Sequence, residues 1–108
     1  MDRLPFAKPV RVVDPDLLRS YCRFHPACEV DGCRGRPAPE PHHLVPRSRG
    51  RCDLHENLLR LCPAHHRMWH TLGGPAWWRR YGDRLLDDAR AKVQRAVRLQ
   101  DATGWPSG

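Results

Sequence analysis

The hydrophobic pattern of this chain is clearest near its C-terminal end, over residues 83–102. Apolar side chains recur there at the three- and four-residue spacing of a single helix face, and arginine and aspartate residues lie opposite. The apolar residues are Leu85, Leu86, Ala89, Val93, Ala96 and Val97. The pattern predicts a C-terminal amphipathic helix, with Gly104 just beyond its end and a loose tail after it.

A second helix is predicted near the N-terminus, after a proline-interrupted lead-in over residues 1–13. Asp14 followed by Pro15 is a favoured helix start, because aspartate caps the N-terminus and proline fits the first helical position. The apolar face of this helix comprises Leu17, Leu18 and Tyr21. Pro26 requires the helix to end before it.

The middle of the chain alternates short apolar runs with turn residues. Residues 28–33 are predicted to form a turn around an Asp-Gly pair, and residues 34–41 form a proline-rich connector that cannot be helical. Two short strands are predicted over residues 42–45 and 57–61. The polar segment between them, residues 47–56, is predicted to be a loop.

A further helix is predicted to begin at Pro63 and to end at the next Gly-Gly pair. A short helical turn with Trp77 and Trp78 should follow it. The favoured interpretation is that the two tryptophans pack this turn against the domain. Alternatively, together with Arg79 and Arg80, they could hold or stack on nucleic acid.

The charge of the chain indicates which class of partner it binds. The formal net charge is +7 at pH 7, and all but two of the 19 lysine and arginine residues are arginine. Such a balance favours an acidic partner, most simply nucleic acid, and arginine suits bidentate contacts with phosphate. The alternative is a basic surface that serves only solubility. At 108 residues we expect one domain with a modest core, which a bound metal would help to stabilise.

Cysteine usage and the N-terminal segment point to a cytoplasmic protein. MDRLPFAKPV lacks the apolar core of a secretory signal, and no apolar run approaches the roughly 20 residues of a membrane span. The five cysteines are odd in number and have metal-like spacing. They therefore favour reduced thiols over the alternative of a disulfide framework.

Two short Cys/His pairs have the spacing of a structural zinc site. Cys28 and Cys33 are separated by four residues, and Cys62 and His65 by two. Structural zinc takes four such ligands in a tetrahedron, usually from two short motifs. The sequence therefore predicts that these four residues bind a structural Zn²⁺.

Other arrangements of the cysteines compete with this one. Cys22 and His25 form another C-x2-H pair that could replace one ligand pair and leave Cys28 or Cys33 idle. Cys52 lies in the polar loop and is predicted to be a free thiol. Unpaired cysteines that bind no metal are the remaining alternative.

The histidines fall into two further groups. His66 and His70 are four residues apart and share one helix face, whereas His65 is turned about 100° from His66. His65 and His66 should therefore serve different sites. Neighbouring residues on a strand face opposite sides, so His42 and His43 should also have different roles.

The order of these motifs resembles the HNH endonucleases. HHLVP, a loop, ENLLRLC and HH-x3-H follow one another in the region of the two zinc-binding pairs, over residues 28–71. The form is similar to the small stand-alone HNH proteins of phage genomes and actinobacteria. The resemblance implies the ββα-metal fold, in which two strands and a helix clamp one divalent ion.

The expected architecture is a small α+β fold with a ββα-metal (HNH) core and a zinc knuckle. Residues 1–27 would be an N-terminal extension and helix, and residues 28–74 the nuclease core. Residues 75–102 would form a C-terminal helical segment and residues 103–108 a tail. The C-terminal helix would cover the zinc knuckle or the first helix, or serve as a dimer face.

The resemblance also implies roles for individual residues. His43 would be the general base that takes a proton from the attacking water. His42 and His66 would bind the catalytic divalent ion, with His70 as a candidate third ligand. Asn57 would belong to the catalytic set without touching substrate, because its amide can tie down the loop backbone and hold His43 in line.

Double-stranded DNA is the implied substrate, nicked or cut through to 3′-hydroxyl and 5′-phosphate ends. The ion would be Mg²⁺, Mn²⁺, Ni²⁺, Co²⁺ or Zn²⁺, since imidazole ligands admit transition metals. Arg47, Arg49 and Arg51 are candidate phosphate contacts, and a solvated charged loop is the alternative. The phage-type resemblance adds a terminase as a candidate partner and the host cytoplasm as a location.

Two other functions compete with the nuclease. One is a non-catalytic zinc module that binds nucleic acid, which would not need His42, His43, Asn57 and His66 together. The other is an accessory of a phage DNA-packaging machine, as an addition to cleavage. The joint presence of the four residues favours the enzyme.

Overall fold

The computed structural model describes residues 11–45 and 51–103, with side chains described as far as residue 100. The lead-in up to residue 10 and the tail from residue 104 lie outside the described residues. Within them the chain forms four α-helices and one two-stranded sheet, so the prediction of a small α+β fold is confirmed. The elements are α1 Pro15–Phe24, β1 His42–His43, β2 Leu58–Leu59, α2 Pro63–Leu72, α3 Gly74–Tyr81 and α4 Asp87–Thr103, with 3₁₀ turns at His55–Asn57 and Gly82–Arg84.

Helix α1 begins as predicted. The Asp14 side chain accepts a hydrogen bond from the Asp16 N–H at 3.0 Å, and Pro15 occupies the first turn. This cap satisfies one of the N–H groups that no helical carbonyl can reach. The helix ends at Phe24, and Tyr21 is its buried residue.

The antiparallel sheet is shorter than predicted, with His42 opposite Leu59 and His43 opposite Leu58. The predicted strands over residues 42–45 and 57–61 were therefore too long. The reason lies in Asn57, whose carbonyl still accepts the Leu44 N–H at 2.8 Å but whose own N–H bonds to the Leu54 carbonyl at 2.9 Å. The backbone ladder stops there because this N–H belongs to the 3₁₀ turn instead of pairing with Leu44.

The C-terminal helix begins at Asp87, four residues later than predicted. Leu85 is buried through an antiparallel bridge to Val30, and the Leu86 N–H bonds to the Glu29 carbonyl at 3.2 Å. This pairing keeps the segment extended, so Leu85 and Leu86 do not belong to the helix face. Leu86 is 47% exposed, against the prediction that it is part of the apolar face.

The core lies between α4, α3 and the sheet. Trp77 is fully buried, and its ring packs at a tilt between Trp69 and Tyr81, at centroid distances of 5.0 and 5.1 Å. The favoured packing role is therefore confirmed for Trp77, while Trp78 is half-buried against the same core. The face of α4 that packs here consists of Ala89, Val93, Ala96 and Val97. Because the domain itself buries that face, it does not form the dimer surface considered as an alternative.

No helix in the described residues has both the length and the apolar character to cross a membrane.

Helix α1 is joined to the rest of the domain by a buried polar chain. The Tyr21 hydroxyl donates to the buried Glu29 carboxylate and accepts from Lys92 on α4. Glu29 also accepts the Arg60 N–H at 2.7 Å. Burial lowers the pKa of Lys92, and its contacts with Tyr21 and the His55 carbonyl compensate for part of its lost hydration.

Candidate metal centres and the histidine groove

Cys28, Cys33, Cys62 and His65 meet in one cluster, which we call the thiolate cluster. Their ligand atoms all lie within 4.8 Å of one another. The sulfurs of Cys33 and Cys62 are 3.9 Å apart, and His65 Nδ1 is 3.2 Å from the Cys62 sulfur. Ligands at about 2.3 Å from a shared tetrahedral zinc would be spaced by roughly 3.7 Å. The four residues predicted from spacing could therefore hold a zinc ion.

Local structure at residues 28–35 and at the start of α2 positions these ligands. The Cys33 N–H bonds to the Val30 carbonyl at 3.0 Å, and Gly32 takes a φ of +76° in the turn. Cys62 is the N-cap of α2. The Gly35 N–H points at the Cys33 sulfur at 3.3 Å, and a Cβ at Gly35 would lie 2.8 Å from the Cβ of Cys62. The chain therefore needs glycine at position 35 to close around the cluster.

The thiols of the thiolate cluster differ in their electrostatics. Burial raises the pKa of Cys28 to about 12. Burial acts in the same direction on Cys62, but the backbone N–H of His65 and other hydrogen bonds outweigh it and leave the pKa below its ordinary value. Burial, with the Arg84 charge, lowers the pKa of His65 and keeps its ring neutral. A neutral imidazole and thiols that ionise on binding are the ligands that zinc takes.

The residues of the alternative ligand arrangements lie outside the thiolate cluster. The Cys22 sulfur is 3.8 Å from the Pro39 carbonyl, and His25 Nδ1 is 3.3 Å from a Glu29 oxygen. Cys52 is a buried free thiol, 1% exposed, beside the bridge to Val12. In the part of the chain that the structure describes, neither Cys22, His25 nor Cys52 joins a metal-like cluster.

A second cluster, the histidine trio, consists of His42, His66 and His70. One nitrogen from each ring lies within 4.8 Å of the others, and the Nε2 atoms of His66 and His70 are 2.8 Å apart. The centroid of the His42 ring is 5.0 Å from that of His66 and 5.7 Å from that of His70. As predicted from helix geometry, His65 and the adjacent His66 serve different clusters. Strand β1 and helix α2 together build this trio.

The trio fits a divalent cation. Within the described residues, His42 Nε2 and His66 Nδ1 are buried without a hydrogen-bond partner. Leaving buried nitrogens unsatisfied is costly, and a cation would offset that cost. Burial, and then the neighbouring His66 and His70, place the pKa of His42 well below its ordinary value. Burial likewise lowers the pKa of His66. Both rings are therefore neutral near pH 7, which is the form that binds metal.

His43 has different surroundings from its neighbour His42. Its Nε2 lies 2.8 Å from an oxygen of Asp53, and its side chain is 9% exposed. The pair was missed from sequence, because Asp53 is ten residues away in an irregular loop. The available signal was weak: Asp53 is the first acidic residue of a loop that begins with three alternating arginines.

Asn57 spans the loop between the strands. Its Oδ1 accepts the Val45 N–H and its Nδ2 donates to the Cys52 carbonyl, both at 2.8 Å. The side chain is fully buried and uses both ends of its amide. Asn57 thus connects the two sides of the loop that follows His43.

A groove of about 930 Å³ runs between the connector and α2. It is lined by Ala38, Pro39, Glu40, Pro41, His42, His43, Pro63, His66, Arg67, His70 and Thr71. The trio and His43 therefore face one open space. Arg51 lies against Asp53, with its Nε 3.0 Å from Oδ1, and Arg47 and Arg49 lie outside the described residues. A DNA contact by these three arginines stays a prediction.

The chain was also compared with protein-family models, curated proteins and solved structures, and nothing matched in any of the three. The chemistry of the groove is therefore inferred from its own residues. These are the histidine trio, in which His42 is buried and His70 is exposed, a fourth histidine paired with a carboxylate, and one exposed arginine, Arg67.

Proposed function

We propose that this chain is a metal-dependent HNH endonuclease that hydrolyses DNA phosphodiester bonds. The observation that carries the proposal is the convergence of His42, His66, His70 and His43 on one groove. Strands β1 and β2 with helix α2 would form the ββα-metal unit. The thiolate cluster would hold the start of α2 in place with a structural zinc.

The histidine trio would hold the catalytic divalent ion. When bound, such an ion supplies positive charge that polarises a phosphoryl oxygen and stabilises the leaving oxygen. The trio contains no carboxylate, and imidazole ligands suit Mn²⁺, Ni²⁺, Co²⁺ and Zn²⁺ as well as, less readily, Mg²⁺. The groove leaves room for a phosphate beside the three rings.

His43 would act as the general base. The water oxygen forms a bond to phosphorus, its proton passes to the His43 ring, and the bond from phosphorus to the 3′ oxygen breaks. The products are a 3′-hydroxyl, after protonation of the leaving oxygen, and a 5′-phosphate. A positioned base of this kind contributes about 10²- to 10⁴-fold to the rate. Asn57 would keep the loop behind His43 closed without touching the substrate.

The basic surface supports DNA as the substrate. The chain carries a formal charge of +7, and exposed Arg67 lines the groove beside His66 and His70. Arg47 and Arg49 belong to the loop after His43 and would add phosphate contacts, whereas the Arg51 guanidinium is held by Asp53. A non-catalytic zinc module would explain the charge and the thiolate cluster. It would leave the buried, unpartnered nitrogens of His42 and His66 without a role.

Plasmid cleavage by the zinc-loaded protein tests the proposal. The reaction is run without added ion and then with Mg²⁺, Mn²⁺, Ni²⁺, Co²⁺ or Zn²⁺. We expect ion-dependent nicking or linearisation that His43→Ala reduces by about 100-fold or more. The matched control is His25→Ala, which removes a histidine that pairs with Glu29 outside the groove.

Cleavage at the wild-type rate by His43→Ala would show that the assigned base is wrong. A plasmid that is shifted on a gel but never cut, with any of the ions, would favour the binding module. The same outcome would leave a packaging accessory as a candidate.

A further inference from the structure

We infer that Asp53 is the positioning residue for His43: it holds the ring through the Nε2–H group and so makes Nδ1 the atom that accepts the proton from water. This inference rests on the proposed nuclease function, in which His43 is the base. It assigns a residue and a ring atom that the resemblance to HNH nucleases does not supply. The assignment follows from the contacts around one buried carboxylate.

The contact itself determines the tautomer. An ionised carboxylate can only accept hydrogen bonds, so the ring nitrogen 2.8 Å from Asp53 Oδ1 must carry the hydrogen. That nitrogen is Nε2, and in a neutral ring the other nitrogen, Nδ1, is then unprotonated. A ring in the opposite tautomer would place an acceptor against the fully buried Asp53 carboxylate.

Asp53 is ionised in this structure. Burial alone would raise its pKa, but hydrogen bonds from Arg51, His43 and the Asp14 backbone outweigh that effect and lower the pKa to about 2. Two nitrogens of the Arg51 guanidinium contact the carboxylate: Nε lies 3.0 Å from Oδ1 and Nη2 lies 3.0 Å from Oδ2. The carboxylate is therefore partly neutralised before any proton moves.

Backbone hydrogen bonds also fix the orientation of Asp53. Its Oδ2 accepts the Asp14 N–H at 2.8 Å. The backbone on either side pairs with Val12, since the Val12 N–H bonds to the Arg51 carbonyl and the Asp53 N–H to the Val12 carbonyl, both at 2.8 Å. With both oxygens and the backbone held, Asp53 can keep the His43 ring from turning over. The segment before α1 thus supports the proposed base through a single carboxylate.

The proton balance of the step is simple. The proton from water arrives at Nδ1, the hydrogen on Nε2 stays in its bond to Asp53, and the ring becomes an imidazolium. Asp53 is not protonated at any stage. Its charge stabilises the imidazolium as it forms, which lowers the cost of taking the proton.

The first test reads the tautomer directly, by long-range ¹H–¹⁵N NMR of the zinc-loaded protein without a second ion, at a pH where the ring is neutral. We expect His43 to carry its hydrogen on Nε2. In Asp53→Asn the amide can donate to Nε2, so the hydrogen should move, wholly or in part, to Nδ1. The same variant should lose about 10³-fold or more in kcat for DNA cleavage, with KM little changed.

The matched control is Glu29→Gln. Glu29 is the other buried carboxylate that contacts a histidine, His25, and it also accepts a backbone N–H. A purely structural effect would make both variants less stable and less active in parallel. Positioning predicts that Glu29→Gln leaves the His43 tautomer and kcat unchanged.

The outcomes separate the two proposals. A wild-type ring that carries its hydrogen on Nδ1 overturns the role of Asp53 even in an active nuclease, and this measurement needs no variant. Wild-type cleavage that Asp53→Asn does not reduce overturns it as well. An Nε2–H ring in a protein that cleaves with none of the ions overturns the nuclease function while the pairing of Asp53 with His43 stands.

Discussion

Asn57 and Asp53 are the two fully buried polar side chains among the described residues of the inter-strand loop, and each satisfies several backbone or side-chain partners. A buried polar group without its partners costs more than a hydrogen bond stabilises. Specific polar pairs therefore help to close the loop, beside the buried side chains of Leu44, Val45 and Cys52. This places the stability of the loop and the orientation of His43 under the control of the same residues.

Asp53 gives a prediction for stability against pH. Its pKa in the folded protein, about 2, lies below the ordinary value of 3.8. Its stabilising contribution is therefore nearly complete above about pH 4 and is lost progressively as the pH falls towards and through 2. By linkage the contribution is on the order of 2 kcal/mol. We expect Asp53→Asn to lower the free energy of unfolding by about that amount, and the difference should not shrink between pH 7.5 and pH 5.

Urea unfolding of the zinc-loaded proteins at several pH values measures this difference. Glu56→Gln is the control, because it changes an exposed carboxylate three residues away and should have almost no effect. A wild-type advantage that has already faded at pH 5 would contradict a depressed pKa at Asp53.

Among the elements, α2 contributes residues to both clusters. Its N-cap Cys62 and its first turn supply two residues of the thiolate cluster, and a face turned about 100° away supplies two of the histidine trio. Zinc binding at the start of the helix should therefore fix the orientation of its later turns. Helix formation and metal binding are expected to be coupled.

Substitution of single cysteines tests the ligand set. Cys33→Ser and Cys62→Ser should lose the bound zinc and several kcal/mol of stability, because zinc binding supplies folding free energy in domains of this kind. Cys22→Ser should keep one zinc per chain, since Cys22 lies outside the cluster. Metal content by mass spectrometry and thermal unfolding measure both effects. Zinc retained by Cys33→Ser but lost by Cys22→Ser would support the alternative ligand pair.

Sequence patterns predicted the elements whose cause is local. The Asp14-Pro15 start of α1 and the two faces of α2 follow from neighbouring residues, so the thiolate cluster and the His66–His70 pair could be predicted from spacing. The addition of His42 to that pair came from the resemblance. The start of α4 could not, because Leu85 is buried by backbone pairing with Val30, more than fifty residues away. The Asp53–His43 contact was missed for the same reason, since it depends on the path of an irregular loop.

At the scale of the whole molecule, the positive charge is the dominant property. Several arginines are occupied inside the domain: Arg51 binds Asp53, and Arg60 donates to the Ala38, Cys22 and His25 carbonyls. The formal charge therefore overstates what is available to a partner. Exposed Arg67, in the groove, is the best placed of the described arginines to contact a phosphate.

Salt dependence measures how many phosphates the protein engages. Contacts by Arg67, Arg47 and Arg49 would give a slope of about −2.7 in log affinity against log salt. Affinity for a DNA duplex should then fall about 40-fold between 50 and 200 mM NaCl. Fluorescence anisotropy with the His43→Ala protein measures this binding without cleavage.

The change in this slope on substitution of single arginines identifies the residues that contact phosphate. Arg67→Ala should reduce its magnitude by about 0.9. Arg19→Ala, on the exposed face of α1 where Arg19 pairs with Asp16, should leave it unchanged. Affinity that does not vary with salt would argue against phosphate recognition altogether.

The use of adjacent residues on α2 for two clusters also limits how the chain can change in length. Loss or gain of one residue within α2 would turn everything after it by about 100°. Such a change would separate either His66 or His70 from His42 while His65 stayed in the thiolate cluster. Insertions and deletions are therefore compatible with both clusters only outside this helix.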